Sequence, residues 1–208
     1  MNNYIVIEGN IGSGKTALAE LLSVDMNARL ILERFADNPF LPKFYVEAEK
    51  YAFPLELSFL AERYQQLKGQ LVGQELFSDR TISDYLFQKC QLFAAVNLPP
   101  DEFLLFGNFF SLMQANLPKP DLIVYLHKDL PNLKKNINLR GRAYESSISD
   151  AYLQKLEDAY LNYFKQVQGI AILLIDSNQI DFVNRKSDYT YLQELTNHVY
   201  APGIHRFG

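Results

Sequence analysis

Residues 4–16, Tyr-Ile-Val-Ile-Glu-Gly-Asn-Ile-Gly-Ser-Gly-Lys-Thr, decide how the rest of the chain is read. Tyr4–Glu8 is a short apolar run ending in a carboxylate. Gly9-Asn10-Ile11-Gly12-Ser13-Gly14-Lys15-Thr16 follows it directly, with a helical pattern behind, and satisfies G-x-x-x-x-G-K-[ST]. Strand, glycine-rich turn and helix in that order form a phosphate cradle. The glycines let backbone N–H groups converge on phosphate oxygens, and the helix N-terminus adds a favourable dipole. Lys15 reaches the β and γ phosphates, and the Thr16 hydroxyl is a ligand for Mg²⁺. Average residue frequencies give such a match in fewer than about one chain in a hundred of this length. A nucleoside triphosphate with Mg²⁺ is therefore the expected ligand of this loop.

Outward from this loop, apolar runs recur at Leu30–Glu33, Glu75–Asp79, Leu122–Leu126 and Ile170–Asp176, each followed by a longer helical pattern. The alternation predicts βαβ units, hence a five-stranded parallel sheet flanked by helices, an α/β P-loop kinase fold. Ligands of such sheets gather beyond the carboxyl ends of the strands, where this chain carries Glu8, Glu33 and Asp79. Helical spacing marks residues 53–71, with Pro54 tolerated near the N-terminus, and residues 101–115 and 149–167. The aromatic stretch FLLFGNFF (103–110) reads as core or subunit packing. No repeat, low-complexity tract or linker-like composition interrupts the chain, so residues 1–208 are expected to form one domain.

Composition narrows the partners. With 208 residues, 48% hydrophobic, 15 Phe and 13 Tyr, the chain can fill a core without staples. The lone Cys90 cannot form an internal disulfide, and no basic-then-apolar leader precedes Ile5, which points to a cytoplasmic protein. No run approaches a membrane span. The balance of 20 Lys+Arg against 24 Asp+Glu, net −4, argues against nucleic acid as the main partner and leaves a small phosphorylated ligand open. His127, His198 and His205 have neither metal-ligand spacing nor a nucleophile to serve.

A P-loop serves kinases, motors and switches alike. An N-K-x-D guanine reader is missing, and Glu75-Leu76-Phe77-Ser78-Asp79 is a loose version of a translocating ATPase's metal strand. A small-molecule kinase remains, with a nucleoside-monophosphate kinase and a non-catalytic ATP-binding module as rivals. The first needs cations for the acceptor phosphate, yet Glu33 stands where the acceptor arrives.

Five further segments carry a family resemblance: LERFADNPFLPKFY (32–45), FPLELSFLAERY (53–64), SDRTISDYLF (78–87), LRGRAYE (139–145) and IDSNQIDF (175–182), alongside GNIGSGKT (9–16). Together they resemble the deoxynucleoside kinase family, especially its bacterial deoxyadenosine/deoxyguanosine branch, from Tyr4 to about Phe182. The resemblance implies ATP-dependent phosphorylation of a deoxynucleoside 5′-hydroxyl in nucleotide salvage, by a homodimer. It implies that Glu33 is the general base, Arg80 a contact to the 5′-oxygen and the transferring phosphoryl, and Asp79 a Mg²⁺ ligand beside Thr16. Arg140 and Arg142 would belong to a lid over ATP at about 136–148, and Asp181-Phe182 to the loop that reads its adenine. The residues alone also admit surface ion pairs for Glu33–Arg34 and Asp79–Arg80, and plain turns for the last two segments.

On the substrate side the resemblance implies that Tyr45 and Glu145 bind the sugar 3′-hydroxyl, and that Glu56, Arg63 and Asp84 bracket the nucleobase. Three positions depart from the family pattern: Arg34 follows the presumed base, Asn136 stands where relatives carry Arg, and Glu56 where most carry Gln. Gln offers a donor and an acceptor, whereas an ionised Glu only accepts, which suits the two donors of guanine. The branch leans towards deoxyadenosine, so a purine is expected, with deoxyadenosine slightly ahead of deoxyguanosine.

Overall fold

The computed structural model describes residues 2–34, 38–71 and 80–208. Strands β1 (Tyr4–Gly9), β2 (Arg29–Ile31), β3 (Thr81–Ser83), β4 (Leu122–His127), β5 (Ala171–Asp176) and β6 (Gly203–Phe207) form one sheet in the order β2-β3-β1-β4-β5-β6. All five pairings are parallel, with Ile5 opposite both Ile82 and Leu122. The α/β parallel architecture is as read from the sequence, but the sheet has six strands where five were expected. The sixth, Gly-Ile-His-Arg-Phe, is a half-exposed edge whose residues alternate in burial, so it carries no continuous apolar run.

The third strand is also displaced from its expected place. Glu75–Asp79 lies outside the described residues, and the strand that fills the slot between β2 and β1 is the three-residue Thr81–Ser83. Its carboxyl end is therefore at Asp84.

Side chains alternate across the sheet with the two-residue period of strands. Ile5, Ile7, Val124 and Leu173 face one side and pack on Leu18 and Leu22 of α1 (Lys15–Asp25) and Leu192 of α8 (Lys186–Asn197). Tyr4, Val6, Tyr125 and Leu174 face the other and meet Tyr160 and Phe164 of α7 (Asp150–Gln166). A third apolar cluster joins Phe44 of α2 (Leu41–Val46) and Leu55, Phe59 and Leu60 of α3 (Ala48–Leu71) to α4 (Lys89–Asn97) and α5 (Pro100–Gln114). Phe106 and Phe110 of the aromatic stretch enter this core, while Leu104, Leu105 and Phe109 stay exposed.

Helix α3 begins before Pro54 rather than at it, which places the proline inside the helix. Among the described residues no helix is long and apolar enough to cross a membrane.

Candidate active site

The glycine-rich loop takes the conformation its residues allow. Gly12 (φ 85°) and Gly14 (φ 95°) occupy left-handed backbone that other residues rarely adopt. A Cβ on Gly12 would sit 2.7 Å from the Leu133 carbonyl oxygen of α6 (Leu130–Arg140), and one on Gly14 would press on Phe182. Asn10 braces the loop, its Nδ2 donating to the Leu153 carbonyl at 2.8 Å and its Oδ1 accepting from the Ile11 N–H at 2.8 Å. The Ser13 N–H donates to the Asn10 carbonyl at 3.1 Å, and Lys15 folds back to the same oxygen at 3.4 Å. Burial and the neighbouring Lys89 lower the Lys15 pKa to about 8. Glu8, Glu33 and Asp84 oppose that shift, but among the described residues Lys15 forms no ion pair, which leaves its ammonium poised for an anionic ligand.

Asp84, at the carboxyl end of β3, lines the same cavity as Glu56 and Arg63 and also reaches this loop. One of its oxygens accepts from Thr16 Oγ1 at 2.7 Å and the other from the Glu33 backbone N–H at 2.7 Å. The carboxylate thus ties the P-loop to the residue expected to act as base. A hydroxyl and a carboxylate in contact are hard oxygen donors of the kind Mg²⁺ accepts, so Thr16 and Asp84 fit a Mg²⁺ site. Asp79 lies outside the described residues.

Glu33, two residues past β2, is buried between two cations. Arg63 of α3 donates through Nε at 2.9 Å and also through Nη2 to Oε1, and Lys89 at the start of α4 donates to Oε2 at 2.7 Å. Burial alone would raise the Glu33 pKa, but Arg63 and Lys89 outweigh it and hold the carboxyl well below the usual range. Arg63 also donates to Cys90 Sγ at 3.1 Å and lines the same cavity as Glu56.

Arg80 is not in this assembly. It precedes β3 at the amino end of the sheet, opposite the P-loop, and its Nη1 donates to Asn197 at 3.3 Å. The buried cation beside Glu33, besides Arg63, is Lys89. Sequence reasoning missed it, although a lone Lys inside the apolar run Tyr85–Phe93 is a signal of a paired buried charge.

Glu33 opens into a cavity whose far wall carries Glu56, Tyr45 and Glu145. Tyr45 stacks on Tyr144 with ring centres 5.8 Å apart, and its hydroxyl is pushed up by burial and by Glu145. Glu145 pairs with Arg142 at 2.9 Å and with Arg140 at 3.4 Å, so both arginines flanking the left-handed Gly141 line the cavity. Glu56 is buried, accepts from Asn97 Nδ2 at 2.7 Å, and leaves its second oxygen without a partner among the described residues. Asn97 was not singled out by sequence.

A separate groove runs from Gly12–Thr16 past Asn136 and Arg140 to Asp181 and Phe182. Phe182 packs against Gly14, and Asp181 accepts from the Asn184 backbone at 3.2 Å to close the loop after β5. Asn136 donates to the Gly12 carbonyl at 2.7 Å, so its amide braces the P-loop.

Glu8, the other strand-end carboxylate, is fully buried and satisfied by Tyr160, the Leu86 N–H and the Gly9 N–H, which makes it a structural group. Burial raises its pKa.

Comparison with known proteins follows the same lines. The deoxynucleoside kinase family matches residues 5–200. The chain is 37% identical to a deoxyguanosine kinase of Bacillus subtilis (strain 168), over 89% of this chain and 92% of that protein. It is 29% identical to a deoxyadenosine kinase of Lactobacillus acidophilus, over 94% and 95%. In fold it is similar to the deoxyadenosine kinase from M. mycoides with bound dATP, with TM-score 0.81 and 22% identity, covering 94% of this chain and 100% of that one. The chain belongs to the deoxynucleoside kinase family, transferases that phosphorylate deoxynucleosides with ATP as donor.

Proposed function

We propose that the enzyme phosphorylates the 5′-hydroxyl of purine deoxynucleosides, in the cavity between Glu33 and Glu56. The observation that carries this reading is the buried Glu33 carboxylate, held by Arg63 and Lys89 in one cavity with Thr16, Asp84 and Lys15. Glu33 accepts a hydrogen bond from the 5′-hydroxyl and aims its oxygen at the γ-phosphorus. Its lowered pKa suits an orienting acceptor that takes the proton late, as a loose phosphoryl-transfer transition state asks. Lys15 and the P-loop N–H groups neutralise the phosphates. Thr16 and Asp84 would hold Mg²⁺, which would supply positive charge to neutralise the phosphates when bound.

Tyr45 and Glu145 bind the sugar 3′-hydroxyl, and Glu56 reads the base. Residues 136–148 serve as a lid, with Arg140 and Arg142 leaving Glu145 for the phosphates as it closes and excludes water. Asp181 and Phe182 flank the adenine of ATP. The whole chain works as one kinase domain, a cytoplasmic homodimer joined through the exposed apolar face of α5.

The test is incubation with ATP and Mg²⁺ and each common nucleoside, deoxynucleoside and deoxynucleoside monophosphate, followed by product chromatography. Purine deoxynucleoside 5′-monophosphates are the expected products. Preferred turnover of thymidine or deoxycytidine overturns the purine assignment.

A further inference from the structure

Glu56 combines features that a static base-reading residue does not require. Its residue is 1% exposed, and its Oε2 is buried without a hydrogen-bond partner among the described residues, in a cavity whose lining includes residues of α2, α3, α4 and α7. Its Oε1 is held by Asn97 Nδ2 at 2.7 Å. A bound amide N–H on Oε1 decides where a proton goes if the acid is neutral: on Oε2, the atom left over. The side chain therefore has two defined faces. As a carboxylate it presents two acceptors. As a carboxylic acid it presents a donor at Oε2 and an acceptor at Oε1, the pattern of a glutamine.

These faces match different purines. The pairing edge of guanine offers two donors, N1–H and the N2 amino group, and fits the carboxylate. The corresponding edge of adenine offers an acceptor at N1 and a donor at the N6 amino group, and fits the acid. Resting on the reading of this cavity as the deoxynucleoside site, we propose that the ionisation of Glu56 selects the purine, the carboxylate taking deoxyguanosine and the carboxylic acid deoxyadenosine.

The surroundings leave that ionisation open. Arg63 on the same helix and Lys89 on α4 are both paired to Glu33, whose charge acts on Glu56, and among the described residues no cation forms an ion pair with Glu56. Asn97 and Cys90 face it from α4, Tyr45 from α2 and Tyr152 from α7, while Arg140, Arg142 and Glu145 on the remaining wall pair with one another. Burial raises the Glu56 pKa to about 7, with Asn97 and Arg63 opposing. Below that pH the acid dominates, and above it the carboxylate.

The experiment measures kcat/KM for both purine deoxynucleosides from about pH 6 to about pH 8, about one unit either side of the Glu56 value. Because the ratio of ionised to neutral Glu56 rises tenfold per pH unit, the deoxyguanosine-to-deoxyadenosine ratio is expected to rise by up to about tenfold per unit. Effects common to both substrates, such as the titration of Lys15, cancel in that ratio. Glu56→Gln is expected to abolish the slope and fix the preference for deoxyadenosine. A second readout uses the wild-type enzyme alone: calorimetry at pH 7 in buffers of different ionisation enthalpy, expecting proton release on binding deoxyguanosine and proton uptake on binding deoxyadenosine. A pH-invariant ratio in the wild type, a slope that survives in Glu56→Gln, or binding of both purines without proton exchange overturns the proposal. Failure to phosphorylate either purine at any pH overturns instead the reading of the cavity on which it rests.

Discussion

At the scale of single residues the site is a charge problem solved around Glu33. One buried carboxylate is shared by two buried cations, and removing one partner from such a group leaves charge uncompensated, which costs about 3–5 kcal/mol. Lys89→Met is expected to lower kcat by about 10²-fold or more with little change in the KM for ATP, because it releases the carboxylate that orients the acceptor. Lys89→Arg should recover part of that loss. Arg80→Ala, at the other end of the sheet, is expected to leave kcat for the deoxynucleoside unchanged, checked by steady-state kinetics. Lys15 adds a pH dependence. Its pKa of about 8 means that the free enzyme loses this cation as pH rises through that value, so kcat/KM for ATP should fall above about pH 8. Bound phosphates favour the charged form, so kcat should persist to higher pH.

At the scale of elements the P-loop is braced by two helices. Helix α7 receives Asn10 at the Leu153 carbonyl, and α6 donates Asn136 Nδ2 to the Gly12 carbonyl. Asn136 read from sequence is a missing arginine; in the fold it is a brace, because Gly12 runs so close to α6 that only a short side chain reaches its carbonyl. Asn136→Ala should therefore lower stability by about 1 kcal/mol and raise the KM for ATP, since the loop that cradles phosphate loses one restraint. A melting curve and an ATP titration at saturating nucleoside measure the two effects. Helix α3 shows the complementary case. The proline rule correctly puts Pro54 close to a helix start but places the start too late, because packing of Ala52, Leu55 and Phe59 against α4 and α5 carries the helix back to Ala48.

At the scale of the whole molecule the sheet decides where everything meets. Its six parallel strands turn their carboxyl ends to one side, and the P-loop, Glu33 and Asp84 come from three neighbouring strands there. β6 covers the edge of β5 and brings Phe207 against the core. A chain ending at Ala201 is expected to melt at lower temperature and to aggregate at concentrations the full chain tolerates, because the apolar β5 becomes an unpaired edge; light scattering during heating would detect it.

What the sequence determined by itself was whatever local covalent pattern controls: the phosphate cradle, the strands around residues 4–8, 122–126 and 170–176, and the helices at 53–71, 101–115 and 149–167. Those features depend on glycine conformations, apolar runs and helical spacing within a few residues. Tertiary structure alone decided that β3 is the short Thr81–Ser83, a strand too brief to announce itself and stabilised by pairing on both sides. It also decided which distant charges meet. Lys89 lies 56 residues from Glu33 and Asn97 lies 41 from Glu56, and no local pattern carries such a pairing. Burial adds the last element, since the pKa of Glu56 depends on its exclusion from water, a property of the packed helices and not of the residue.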